Sequence, residues 1–526
     1  MKKILRLAAS AFVLIFSLAL LFGCGNGGDT DILDTPPPAG TTDQTVDTNG
    51  DDNGDAPPIA SGDLRVLNFL YPGMDTDHFE AHRDPQTGAL GQRLAAELGM
   101  ELNMSFVGWG DYWNLKSVRI AARDPMDLTW DGTPNLARAV GRQETQPLDD
   151  LLERYGQDML RAIPMDWIEG ARVGGYIHGI PSAYAPASAP FMKITLRVDI
   201  LEDVGMTLDD LQTPDDLMEF ARRARDEFPH IRGAGDPIFK PLQRGFFDDS
   251  FLSVGVQSNM VMFIESTQEI VLYYDTDTFR QVAEFNRAMY DAGLYTDDVT
   301  ILYNERDFRF RTGNYIWVEG SVGKEMEQAH LVRENEPNAV IDSIILGSQN
   351  PRYIIASGGE VLMIPPHADN PDLAMQFMNW MFSSPENHRL AILGVEGRDY
   401  NLVGDNRFEP LNDNEFFYEW MFRNINFMLF STEFSDAQVD RFINWDNDAV
   451  FSDLLGFAFD NSDVLDLEAA LIEADNDMLP IHSGFVDFDT NFPDALQALE
   501  DAGIREYMAE IERQVRAFLE ETGRAR

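Results

Sequence analysis

The chain has 526 residues, 44% hydrophobic and 25% charged, and its 89 Asp/Glu against 40 Lys/Arg leave a net charge of −49. A surface of that sign repels nucleic acid and anionic lipid, which excludes the polyanion-binding classes. One cysteine excludes a disulfide framework. No phosphate loop, nucleophile elbow or Cys-His pair is present, and no metal, cofactor or catalytic residue is expected.

Lys2, Lys3 and Arg6 precede an apolar run from Leu7 to Phe22, which predicts a secretory signal over residues 1–23. The run ends at Leu21-Phe22-Gly23-Cys24, which resembles a bacterial lipobox, although Phe22 is bulkier than the usual residue there. The resemblance implies that Cys24 carries lipid. It also implies a protein on the extracytoplasmic face of a cell membrane, of the Gram-positive kind, touching that membrane through the lipid alone. Residues 24–63 hold nine aspartates and no Lys or Arg among Gly, Pro and Thr, a composition that cannot bury enough apolar surface to order itself. This reads as a tether.

Leu64 to Gly73 predicts a buried strand, Leu90 to Leu98 a helix closed by Gly99, and Glu101 to Phe106 a second strand. A helix over 111–122 and a short strand ending at Trp130-Asp131 complete a β-α-β-α-β opening, which argues for a mainly parallel sheet. A further helix covers 148–160. From Gly175 to Gly205 the chain turns at glycine, passes Ile180-Pro181 and an Ala/Pro/Ser-rich stretch, then alternates at Met192, Ile194, Leu196 and Val198 with the period of a strand. The pattern predicts a crossing from one lobe to another. Thr213-Pro214-Asp215-Asp216 starts a helix whose apolar face is Leu217, Phe220, Ala221 and Ala224. A strand over 270–274, a helix over 278–292, a strand over 313–320, an extended run over 353–364 and a helix over 372–382 follow. No internal repeat is found.

Four passages together carry a family likeness. They are Gly175 to Pro181 with Leu196 to Leu201; Thr213 to Leu217; Asn379 to Pro385 leading to Gly394 to Tyr400; and Leu479-Pro480 to Asp487 with a terminal helix over 504–519. Behind a lipobox, the chain resembles the extracellular solute-binding proteins of family 1, the lipoprotein components of bacterial carbohydrate ABC importers. The resemblance departs at Gly174, where the family usually places lysine. It implies an α/β, two-lobed periplasmic-binding-protein-like fold of type 2, each lobe a mainly parallel sheet flanked by helices. The first lobe would take residues 64–185 plus about 355–440. The second would take 186–354 plus about 441–526, with the C-terminal helices. The implied function is capture of an oligosaccharide or other small polar solute by a monomer, and its delivery to ABC permease subunits.

Sugars present apolar C–H faces rimmed by hydroxyls, so their sites combine aromatic platforms with carboxylates and amides. That chemistry selects Trp130 and Asp131 at one predicted strand end, and Trp317 and Glu319 at another. It adds Tyr184 in the crossing, Tyr71 after the first strand, Trp109 in a Gly-Trp-Gly loop, and Trp445. Trp380 and Trp420 read as helix core, and Arg197 with Asp199 as structural. The alternatives are a surface-anchored hydrolase, which needs two carboxylates about 5–5.5 or 6.5–9.5 Å apart, and a ligand receptor for a membrane sensor.

Overall fold

The computed structural model describes residues 64–526 except 183–187, 190–191, 256–259, 296–302, 355–358, 413 and 458. The signal segment, Cys24, the tether and Tyr184 therefore lie outside the described residues. No helix among the described residues is long and apolar enough to cross a membrane.

The β-α-β-α-β opening forms as the pattern predicts. Strand Arg65–Pro72 lies parallel to Met100–Val107 and to Leu128–Gly132. Two strands from later in the chain extend this sheet: Glu360–Met363 runs antiparallel to Leu128–Gly132, and Ile180–Pro181 borders it. Phe69, Leu70, Tyr71 and Pro72 are consecutive and all buried, which requires cover on both faces of the sheet. Helices Ala89–Leu98, Tyr112–Ala122 and Pro371–Met381 contribute Leu90, Leu94, Tyr112, Ile120, Leu373 and Phe377 to this core. Gly99 ends the first of these helices at φ 62°, its N–H capping Ala95, a left-handed position that glycine occupies without steric cost.

The turn opening the crossing stretch is a hairpin between Arg172–Val173 and Tyr176–Ile177. Its two loop residues, Gly174 and Gly175, have φ of 59° and 91°, the double positive φ of a two-residue turn. That backbone requirement accounts for glycine at 174.

A second core gathers on strand Lys193–Arg197, every residue of which is buried. Here the sheet differs from the parallel expectation: the flanking strands Trp317–Gly320 and Ile341–Ile344 are both antiparallel to it. Each neighbour reaches this sheet from a distant part of the chain, and strand alternation carries no information on the direction of such a return. The strand also stops one residue early, because Val198 begins the helix Val198–Asp203. Helix Pro214–Glu227 starts at Thr213, whose hydroxyl accepts from Asp216 N–H while the Asp216 carboxylate accepts from Thr213 N–H at 2.8 Å. This reciprocal cap satisfies two donors that a helix start leaves bare.

A third core joins the C-terminal helices Leu465–Asp475, Met478–His482, Phe488–Asp501 and Ile504–Glu521 to an antiparallel sheet of Phe251–Ser253, Val261–Ile264 and Glu269–Leu272. The last helix buries Ile504, Tyr507, Ile511, Val515 and Leu519 at helical spacing. The chain passes between the first core and the other two three times. Ser188–Ala189, Tyr353–Ile354 and Val450–Phe451, one segment from each passage, pair into a single three-stranded sheet.

His482 lies in the third core, its ring 4.4 Å from Phe239 and 5.1 Å from Phe279, and its Nε2 has no hydrogen-bond partner. Burial pushes the imidazole down to about 3. A lowered histidine leaves stability intact above its ordinary value of about 6.5 and withdraws it as pH falls toward the folded value. His482→Leu removes that withdrawal. Measured by urea unfolding at pH 7, 6, 5 and 4, wild type should lose about 1.4 kcal/mol per pH unit relative to the variant below pH 6; parallel pH profiles would contradict the burial argument.

Candidate ligand-binding site

The carboxyl ends of the first sheet's parallel strands converge on one aromatic assembly. Trp109 follows strand Met100–Val107, Trp113 sits in the first turn of helix Tyr112–Ala122, and Trp130 lies within the short strand Leu128–Gly132. Tyr418 and Trp420 arrive from the far end of this core. Trp109 stacks on Tyr418 with centroids 6.0 Å apart and meets Trp130 edge-on at 5.5 Å. Tyr418 stacks on Trp420 at 5.3 Å, and Trp420 meets Trp130 at 5.4 Å. Trp113 closes the group at 6.2 Å from Trp109 and 5.9 Å from Trp130, and is 38% exposed. Alternating stacked and edge-on rings satisfy the quadrupoles of neighbouring aromatics. Trp109, Tyr418 and Trp420 keep part of their surface in solvent.

Polar groups pin the rings. Trp130 Nε1–H donates to Glu360 Oε2 at 3.0 Å. Burial pushes the Glu360 carboxyl up to about 7, despite that hydrogen bond and the charge of Arg423. Asp131 is 1% exposed, and every contact it makes is internal. One carboxylate oxygen accepts from Trp113 Nε1, Gly132 N and Asn135 Nδ2 at 3.2, 2.8 and 2.8 Å, and the other from Lys116, itself 1% exposed. Glu144 is the second anion on Lys116, at 3.4 Å. Glu419 holds Arg423 through both oxygens, and the Arg423 guanidinium lies 4.9 Å over Phe442.

A small separate cluster follows along the chain. Residues Ile425 and Met428, just past Arg423, pack with Val322 and Met326 around Phe430 and Phe442. Burial raises the Tyr418 phenol above its ordinary range, with the charges of Glu415 and Glu327 adding to the rise; Glu327 belongs to the helix Lys324–Arg333.

The structure brings together Trp109, Trp130 and Asp131 of the residues selected from sequence. Asp131 is there as a support, because its oxygens are already occupied. Tyr71 is 2% exposed and its hydroxyl accepts from Tyr418 N–H at 2.6 Å, so it holds the platform from beneath without facing a ligand. Trp317 is 1% exposed in the second core and Glu319 accepts from the Phe239 and Lys240 amides at 2.8 and 3.4 Å. Strand neighbours cover the first, and a local helix start engages the second. Trp445, 4% exposed, lies between Lys193 at 5.7 Å and Arg352 at 4.8 Å, a cation–π clamp. Arg197 pairs with Asp199 and donates to Gly313 O, a structural role as expected. Sequence reading missed Trp113, Tyr418, Glu360 and Trp420. The run Phe416-Phe417-Tyr418-Glu419-Trp420 was the one visible signal for two of them.

The sequence profile of the bacterial extracellular solute-binding proteins matches residues 89–394, more than half of the chain. The chain belongs to that family. A profile for a domain of unknown function matches residues 453–520, the C-terminal part of this solute-binding protein. A carbohydrate ABC transporter substrate-binding protein of Streptococcus pneumoniae is 21% identical over 472 residues, covering 87% of this chain and 92% of the relative. Among solved structures, the N-glycan transport solute-binding protein of Streptococcus pneumoniae in complex with Man1GlcNAc superposes with a TM-score of 0.73 at 19% identity, covering 86% of this chain and 99% of that one. A human-milk-oligosaccharide (HMO) binding solute-binding protein of Bifidobacterium longum infantis gives 0.58 at 14% identity, over 86% and 98%. The two-lobed α/β fold expected from sequence is thereby shown, and the family places the chain among binding proteins rather than hydrolases.

A raised carboxyl favours the folded state at low pH and loses that advantage as pH climbs to the folded value. Glu360→Gln should therefore match wild type near pH 4.5 and exceed it at pH 8 by up to about 3 kcal/mol. Urea midpoints at the two pH values check this; an equal gap at both would show that Glu360 is not held neutral.

Proposed function

We propose that this solute-binding protein captures an oligosaccharide outside the cell and hands it to an ABC permease. In this reading the rings of Trp109, Trp113, Trp130, Tyr418 and Trp420 form the floor for sugar C–H faces. Glu360 and the Glu419–Arg423 pair serve its hydroxyl rim. The observation that carries the reading is this five-ring assembly at the carboxyl-end side of parallel strands, where open α/β sheets bind ligands. The names of the carbohydrate-binding relatives support the same class of ligand. Tyr184 remains a proposed contact in the crossing. Closure of the lobes on the ligand shifts the population toward the form a permease accepts. Strong negative charge favours neutral glycans and a monomer, and Cys24 is the proposed lipid site.

Isothermal titration across neutral and uronic-acid oligosaccharides tests this. A neutral glycan should bind stoichiometrically without product, and Trp420→Ala or Trp109→Ala should weaken it at least tenfold, about 1.4 kcal/mol, with both variants folded by circular dichroism at the titration temperature. Turnover, preference for uronic acids, or unchanged affinity in both variants would sink it. Separately, Cys24→Ser should move the protein from the membrane fraction to the medium.

A further inference from the structure

The C-terminal module carries an apolar row that nothing among the described residues covers. Leu465, Ile472 and Leu479 are 52%, 46% and 50% exposed. They are spaced seven apart. Asn476 and Asp477, which join helix Leu465–Asp475 to helix Met478–His482, both keep right-handed helical φ and ψ, so the helical phase continues and the three side chains share one face. The exposed Ala469 lies between the first two. Beside this row runs a second one, of Asp466, Glu473 and Asp477, all exposed and none in an ion pair among the described residues. From Phe442 to Ile504 the sequence has fifteen Asp/Glu and no Lys or Arg.

Charge decides what can cover this face. A second copy would set one acidic row against another, and the protein's own tether brings nine aspartates and no cation. An anionic lipid surface is repelled for the same reason. Exposed leucine and isoleucine aligned over four turns need an apolar counterpart, and the flanking carboxylates need cations at its edge.

We infer that the Leu465/Ile472/Leu479 face docks this protein on the outer side of its membrane permease, in an apolar groove edged by Lys or Arg. This rests on the delivery reading above. It assigns the C-terminal module a role in docking, apart from the aromatic platform that holds the sugar.

The test uses the mature lipoprotein with the sugar permease complex of the same organism in nanodiscs of zwitterionic lipid, reading glycan-stimulated ATP hydrolysis against protein concentration. The triple variant Leu465→Ser, Ile472→Ser, Leu479→Ser should raise the half-saturating concentration at least tenfold. The triple variant Asp466→Asn, Glu473→Gln, Asp477→Asn should raise it several-fold and flatten its dependence on salt. Glycan affinity and unfolding temperature should match wild type in both, since the substituted side chains are exposed. Wild-type stimulation in both variants would overturn the assignment. So would a wild-type dimer, or binding to anionic vesicles, that the serine variant abolishes. A wild-type protein that binds glycan but stimulates nothing would instead remove the delivery reading, and the docking assignment with it.

Discussion

The buried contact between Lys116 and Asp131 is where the geometry of the platform begins. Both side chains are 1% exposed. Removing two charges from water costs several kcal/mol per ion, which the pair recovers only if the remaining lone pairs are also engaged. Here they are: Asp131 accepts from Trp113, Gly132 and Asn135 as well, and Lys116 is shared with Glu144. The penalty of burying the charge thus becomes a constraint. Any motion of Trp113 or of the chain after strand Leu128–Gly132 would take a donor away from a carboxylate in a low-dielectric site. Glu360 fixes Trp130 by a related route, with burial raising the carboxyl instead of a cation neutralising it. Two aromatic rings of the platform, Trp113 and Trp130, are therefore set by hydrogen bonds to buried carboxyl groups.

The same economy runs through the chain's cations. Of the four lysines among the described residues, Lys116, Lys193 and Lys324 are buried against carboxylates, and Lys240 lies close enough to Glu319 to interact with its charge. The cations on the described surface are arginines, many in short-range pairs such as Arg280–Glu284 and Arg513–Glu510, of the exposed kind that contributes little to stability. What the pairs leave over is an unbalanced negative surface, and it is most unbalanced from Phe442 to Ile504. Lysine in this protein organises interiors, while the surface charge selects partners.

Local signals in the sequence were legible wherever a local rule decides the outcome. Thr213 and Asp216 form their reciprocal cap, Gly99 closes its helix, and the stripe from Ile504 to Leu519 is buried as its spacing requires. The direction of the strands beside Lys193–Arg197 was not legible, because it depends on returns from residues 317 and 341. The site divided along the same line. Trp130 and Asp131 were readable as a pair at a strand end, but the role of Asp131 depends on Lys116, fifteen residues upstream on a helix face. Tyr418 and Trp420 join Trp109 across about three hundred residues of chain, a pairing that no spacing rule carries. Trp317 misled for the opposite reason: a tryptophan at a strand end has the same sequence signature whether neighbours cover it or leave it open.

The platform belongs to one core, which bears on how closure would work. Its rings are positioned by contacts within the first core and the returning segment 416–423, so the surface forms without help from the other cores. The linking sheet is built the other way. Each of its pairings spans two residues on either strand, and a ladder that short leaves few hydrogen bonds to resist rotation between the cores. Rigidity at the floor and compliance at the crossings are complementary. A floor that needed ligand to assemble would charge its ordering entropy against affinity, whereas a preformed one leaves binding energy available to bias the lobes toward closure.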